Sequence, residues 1–129
     1  SSPAGPRVTL AGYSYELADG GLKLNLYWQT GGPLQTQDKV FAQLLAADNS
    51  LLAQSDSLPA GGERPSTGWL PGEIITDLHR LNFLAEGSAG EYRLIAGLYN
   101  PQTGQRLPIL NAEGAPVADA IFITEVTLP

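Results

Sequence analysis

Apolar and polar residues alternate along most of this chain. In GLKLNLYWQ, residues 21 to 29, Leu22, Leu24, Leu26 and Trp28 share one side, while Lys23, Asn25, Tyr27 and Gln29 share the other. A period of two is the geometry of a strand, whose successive side chains point to opposite faces, so the run predicts a half-buried strand. EYRLIAGLY, residues 91 to 99, repeats the pattern with Tyr92, Leu94, Ala96 and Leu98 together. These two runs predict the centre of a core in which Trp28, Leu24, Leu26, Tyr92, Leu94 and Leu98 carry the packing. Further extended runs lie at 7–16, 39–47, 51–56, 73–84, 105–110 and 120–128.

Two of these runs change parity partway. In the first, Val8 and Leu10 fall on one parity and Tyr13, Tyr15 and Leu17 on the other, with Gly12 at the switch, where a bulge or bend costs least. In the run from 73, Ile74 and Leu78 give way to Leu81 and Phe83. Such bends let a strand begin on one sheet and finish against another.

Turn chemistry separates the runs. Asp48-Asn49-Ser50 tolerates the left-handed backbone of a tight hairpin, so AQLLAADNSLLAQ reads as a hairpin, with a short helix as the alternative. Asn100-Pro101-Gln102-Thr103-Gly104 combines a proline that presets φ with Gly104 to accept positive φ, which predicts a second hairpin. Asn111-Ala112-Glu113-Gly114 predicts a third. Gly90, two residues ahead of Tyr92 at a strand start, suggests a tyrosine corner. Short strands between regularly spaced glycines and prolines predict an all-β sandwich or barrel, and with the tyrosine corner the reading is an immunoglobulin-like antiparallel β-sandwich of about seven to eight strands.

Composition narrows the picture. The 129 residues, 43% of them hydrophobic, suffice for one domain with an ordinary core, read here as 7–129. Residues 1–6, SSPAGP, read as a linker remnant, and the absence of methionine suggests a piece of a longer chain. There are no cysteines, so stability rests on packing rather than on disulfides or thiolate metal sites. A net charge of -6, with seven basic residues scattered singly, argues against nucleic acid as a partner. No apolar run approaches the length of a membrane span, so no direct membrane insertion by this domain is expected.

A search for chemistry finds little. His79, the single histidine, lies in ITDLHRL, and Asp77, two residues before it, would share its face of a strand. Without a nucleophile-elbow motif nearby, the pair reads as a surface or rim contact, and no catalytic residue is assigned. One imidazole cannot by itself build a zinc site, and the acidic residues lack the repeated spacing of a calcium loop, so no metal and no cofactor is expected. Asp19, Asp38, Asp48, Glu63, Glu113 and Asp119 read as solvated loop acids rather than paired catalytic carboxylates. Ala60-Gly61-Gly62-Glu63 has the glycines of a phosphate loop without its basic residue or following helix.

The segment SLPAGGERPSTGWLPGE, residues 57 to 73, is longer than a compact sandwich requires, so it is either functional or held by an anchor of its own. Trp69 is the natural anchor. Were it instead exposed, Trp69 with Tyr27 and Tyr99 could offer aromatic faces to the rings of a glycan.

LYWQ at 26–29, VFAQLL at 40–45, RPSTGWLPGE at 64–73 and GEYRLIAGLYNPQTGQRLP at 90–108 together carry a resemblance. The chain resembles the immunoglobulin-like sandwich modules at the ends of large bacterial surface or membrane proteins, of the kind found in filamentous green non-sulfur bacteria. Some of those follow a multi-pass glycosyltransferase-like region. The resemblance implies an extracytoplasmic, non-catalytic accessory module, a spacer or interaction domain whose partner is a neighbouring domain of its parent chain or another protein. Alternatives are a carbohydrate-binding module and a regulatory domain beside a catalytic neighbour.

Overall fold

The computed structural model describes residues 8–18, 20–30, 37–64, 66–84, 89–107, 109–110, 116–118 and 120–128. The segment read as a linker, the turn expected at 111–114, and the loop acids Asp19, Glu113 and Asp119 lie outside them.

Seven long strands form, in chain order, β1 (Val8–Ala18), β2 (Gly21–Thr30), β3 (Lys39–Leu45), β4 (Leu51–Ser57), β5 (Ile74–Asn82), β6 (Gly90–Tyr99) and, after two short ones, β9 (Ile121–Leu128). The short strands are β7 (Ile109–Leu110) and β8 (Pro116–Ala118). One sheet has the order β5-β2-β1-β7-β8 and the other β4-β3-β6-β9. All long strands pair antiparallel, and the single parallel contact among the described residues joins β7 to Val8 and Thr9 of β1. The all-β sandwich read from the sequence is the fold observed. Two 3-10 turns, Pro59–Gly62 and Ser66–Gly68, are the helical elements among the described residues.

The alternating runs meet as expected. Leu24, Leu26 and Trp28 of β2 and Leu94 and Leu98 of β6 are all fully buried, and Tyr92 is 7% exposed. The outward residues Lys23, Asn25, Tyr27 and Gln29 of β2 are only half-buried, as a two-layer fold with one wet face per sheet requires. Val40, Ala42 and Leu44 extend the same core from β3. Gly21 is needed at the start of β2 because a β-carbon there would stand 2.5 Å from the Leu81 carbonyl oxygen.

Three local readings are settled by register. The parity change in β1 is a bulge between Leu10 and Gly12, and it keeps the strand on one sheet. Leu10 lies opposite Trp28, while Tyr13, Tyr15 and Leu17 lie opposite Leu26, Leu24 and Leu22, so both halves point inward. The parity change expected in β5 does not occur. β5 pairs with β2 without a shift from Gln29↔Ile74 to Gly21↔Asn82. Its inward residues are therefore Ile75, Asp77, His79 and Leu81, with Ile74 and Leu78 outward. The helix alternative over 42–54 gives way to the hairpin: Asn49 adopts φ 68°, and Asp48 Oδ1 accepts from the Ser50 backbone N–H and hydroxyl.

The second hairpin forms as its residues dictate. Gly104 has φ 77°, its N–H donates to the Asn100 carbonyl, and Asn100 N–H donates to Gln105 O. A bridge joins Tyr99 and Arg106, after which the chain leaves this sheet and forms β7 in the other. The run expected at 105–110 is thus a crossing between layers rather than one continuous strand.

Candidate functional site

β4 and β5 are the edge strands on the same flank of the two sheets, and the long 57–73 connection runs over that flank. A polar cluster lies there, inside the sandwich. Asp77 Oδ2 accepts from Trp28 Nε1 at 3.1 Å and lies 2.6 Å from His79 Nε2. Asp77 Oδ1 accepts from the Ala60 backbone N–H at 2.9 Å. On the other side of the imidazole, His79 Nδ1 lies 2.8 Å from Ser55 Oγ. Four segments thus meet: β2, β4, β5 and the Pro59–Gly62 turn.

This corrects the reading of His79 as a surface or rim residue. His79 is 2% exposed and Asp77 0%, and the side chains of both are closed to solvent. The shared face of Asp77 and His79 was legible, but that face is the inner one. The reason is chemical: a carboxylate taken out of water is tolerable only with donors around it, and Trp28, Ala60 and His79 supply three. Asp38 departs from the sequence reading in the same sense, at 1% exposed rather than solvated.

Ser55, His79 and Asp77 are the residue types of a nucleophilic triad, but the wiring is the reverse of the usual one. In an acyl-transfer triad the serine faces Nε2 and the carboxylate Nδ1. Here the carboxylate faces Nε2 and the serine Nδ1. The arrangement suits holding. With Nε2–H directed at Asp77, Nδ1 accepts from the Ser55 hydroxyl, and the sheets are joined through the ring.

The long connection is pinned from several directions. Trp69 is 1% exposed and donates from Nε1 to the Arg64 carbonyl at 2.8 Å. The Arg64 guanidinium forks onto both Glu73 carboxylate oxygens, and Glu73 Oε1 also accepts from Leu70 N–H. The guanidinium, and after it the Leu70 N–H, hold the Glu73 carboxyl below its ordinary range. Gly72 N–H donates to Thr30 O, and Gln29 Nε2 donates to Gly72 O, closing the loop onto the end of β2. Ala60, at φ 53° and ψ 38°, occupies the left-handed region that disfavours a β-carbon.

The three aromatic residues considered as a glycan platform are not brought together. Trp69 belongs to the core and offers no open face. Tyr27 is half-buried on the outer face of the β5-β2-β1 sheet, opposite Thr76 and over Gly12. Tyr99 lies on the outer face of the other sheet, opposite Lys39. There its hydroxyl donates to the Asp56 carboxylate, at 2.8 and 2.7 Å from the two oxygens, which pushes its pKa up to about 12. Beside it, the Arg106 guanidinium stacks 4.6 Å from the Phe41 ring centre. A cavity of about 400 Å³ near this end is lined by Gln37, Leu58, Asn100, Pro101 and Gln102. None of these five carries a charge.

The opposite flank is built differently. Beyond Thr9, β1 has no strand on its outer side among the described residues, and β9 is the last strand of the other sheet. Tyr13, Tyr15 and Leu17 point inward there yet remain 41%, 38% and 41% exposed. On the sequence Tyr13 and Tyr15 read as residues for core or inter-domain packing, with a stacking platform as the alternative. Among the described residues no group of three or more metal-ligating side chains forms, and no helix is long and apolar enough to cross a membrane.

Comparison with known proteins gives no match: no family model, no curated protein and no solved structure aligns significantly with this chain.

Proposed function

We propose that this chain is a non-catalytic accessory module of a larger extracytoplasmic protein, a sandwich that serves as a spacer and protein-interaction domain. The observation that carries this reading is the row Tyr13, Tyr15 and Leu17. These are three large side chains at core-facing positions, and their own sandwich leaves them about two-fifths exposed. A second protein surface that covered them would recover the burial the fold leaves incomplete, at about 25 cal/mol per Å² of apolar area. The closed state of the His79 ring supports the non-catalytic part, since a reacting group must reach its substrate. The glycan alternative loses Trp69 to the core and retains Tyr27 and Tyr99 as single rings on opposite faces of the molecule.

The test is site-specific crosslinking in the parent protein in its own cell. A photoreactive phenylalanine at Tyr15 should capture polypeptide, from a neighbouring domain or another protein, while the same group at Thr76 on the outer sheet face should not. Equal capture at both positions, or none at Tyr15, would remove the reading. Retention of the domain on a polysaccharide, abolished by Tyr27→Ala with the fold intact, would favour the glycan alternative instead.

A further inference from the structure

The row Tyr13, Tyr15 and Leu17 lies on a strand whose backbone edge is also open. β7 reaches β1 at Val8 and Thr9, and among the described residues none of the backbone hydrogen bonds outside the ladders involves residues 12 to 18. Among the described residues, Gly12–Ala18 therefore presents seven residues of extended chain with a free edge. It carries none of the usual protection: no proline, no lysine and no bulge after Gly12. Two other edges, those of β9 and β5, offer less. On β9 the inward Val126 and Leu128 are already 0% and 8% exposed, so an added strand would gain little burial. On β5 the turn Pro59–Gly62 packs against the strand, bonded to Asp77.

We propose that this edge is a self-association site, at which a second copy of the chain adds its own Gly12–Ala18 segment antiparallel, so that the β5-β2-β1 sheet continues across a two-fold axis. The inference rests on the reading of the chain as an interaction module and names the partner. The sequence of the strand is self-complementary about Tyr15. With Tyr15 on the axis, Tyr13 of each copy lies opposite Leu17 of the other on the inner face, and Ser14 lies opposite Glu16 on the outer face. An isologous contact of this kind requires that one patch fit itself, and aromatic residues directly across a strand pair are favourable partners.

Charge selects the same strand. Each copy carries -6 overall, so most of the surface repels a second copy. The Gly12–Ala18 segment carries a single charge, Glu16, whose neighbour within the sheet is Lys23 and whose partner across the axis is Ser14. Like charges therefore do not meet. Three partly exposed side chains and one strand pair per copy amount to less than the roughly 800 Å² per partner of a standard stable interface, so the dimer should be weak and concentration-dependent.

Sedimentation equilibrium of the purified domain, from micromolar to millimolar concentration, tests this against Tyr15→Lys, which sets two ammonium groups face to face on the axis. The expected result is a mass that rises toward twice the monomer for the wild type, with a dissociation constant at least about tenfold weaker in the variant. Urea unfolding run on both shows that the variant is folded. A wild-type chain that stays monomeric at millimolar concentration overturns the inference, as does a dimer that Tyr15→Lys leaves intact. If the purified domain is monomeric while Tyr15 still crosslinks to a different polypeptide in the parent protein, self-association is wrong and the interaction reading stands. If both measurements are blank, both fall.

Discussion

The two flanks of this sandwich leave the same problem to different solutions. At β4 and β5 the gap between sheets is sealed by a buried carboxylate, an imidazole, a serine and a loop that folds over them. At β1 and β9 no such seal forms among the described residues, and Tyr13, Tyr15 and Leu17 stand partly in water. The sealed flank concentrates its stabilisation in directional bonds among groups that cannot be resolvated, so it is rigid and sensitive to single atoms. The open flank relies on non-directional apolar contact, which tolerates change and leaves surface for a partner.

The sharpest way to break this contrast is Asp77→Asn. Three N–H donors converge on the Asp77 carboxylate, and an amide, having only one acceptor oxygen, cannot serve Oδ1 and Oδ2 at once. One orientation sets its NH2 against Ala60 N–H, the other against Trp28 Nε1–H. A loss of about 2–4 kcal/mol in urea unfolding is expected. A loss under about 1 kcal/mol would mean that the cluster does not hold the flank. Ser55→Ala removes the group facing His79 Nδ1 and should cost about 1–2 kcal/mol by the same measurement.

On the open flank, Tyr15→Ser should cost less than Asp77→Asn, about 1 kcal/mol, because the ring is already 38% exposed and no buried polar atom is orphaned. If it destabilises as much as Asp77→Asn, the flanks do not differ in kind. Ala60→Gly should act in the other direction. It removes a β-carbon from a residue at φ 53° while keeping the N–H that Asp77 accepts, and should raise stability by about 0.5–1 kcal/mol in a thermal melt. A lowered melting temperature would show that the methyl packs.

The smallest effect concerns Tyr99. Its hydrogen bond to Asp56 favours the neutral phenol and moves its pKa from 10.0 to about 12 in the folded chain. The contribution is therefore complete below the ordinary tyrosine value and is lost as pH rises through the folded one, leaving neutral pH untouched. Ultraviolet titration should show a tyrosine ionising well above the ordinary phenol value, and Asp56→Asn should return it toward that value. An elevated ionisation that persists in that variant would rule out Asp56 as its cause.

Much of the architecture was legible because it depends on local rules. Leu22 to Trp28 and Tyr92 to Leu98 alternate, and alternation alone places them on one face of a strand. The turns at Asn49 and Gly104 need backbone conformations that their residues supply. The site was less legible. Asp77 and His79 could be seen to share a face, but hydrophobicity assigned that face to solvent, since Ile74 and Leu78 made the other parity look like the core. Nothing local indicates that Ser55 on another strand and Ala60 in a loop will complete the hydrogen bonding. Trp69, by contrast, was readable as an anchor from its place beside Leu70 and Pro71 in an overlong connection.

What the sequence by itself determined was the seven long strands, the turns at Asn49 and Gly104 and the two central rows of the core, because period and turn chemistry act over a few neighbouring residues. Which parity of β5 faces inward, and whether an inward side chain is covered at all, was decided only by tertiary structure. Burial of Asp77 and His79 depends on donors brought from β2, β4 and the Pro59–Gly62 turn. Exposure of Tyr13, Tyr15 and Leu17 depends on what the rest of the fold brings over them, and neither quantity is a property of any one stretch of chain.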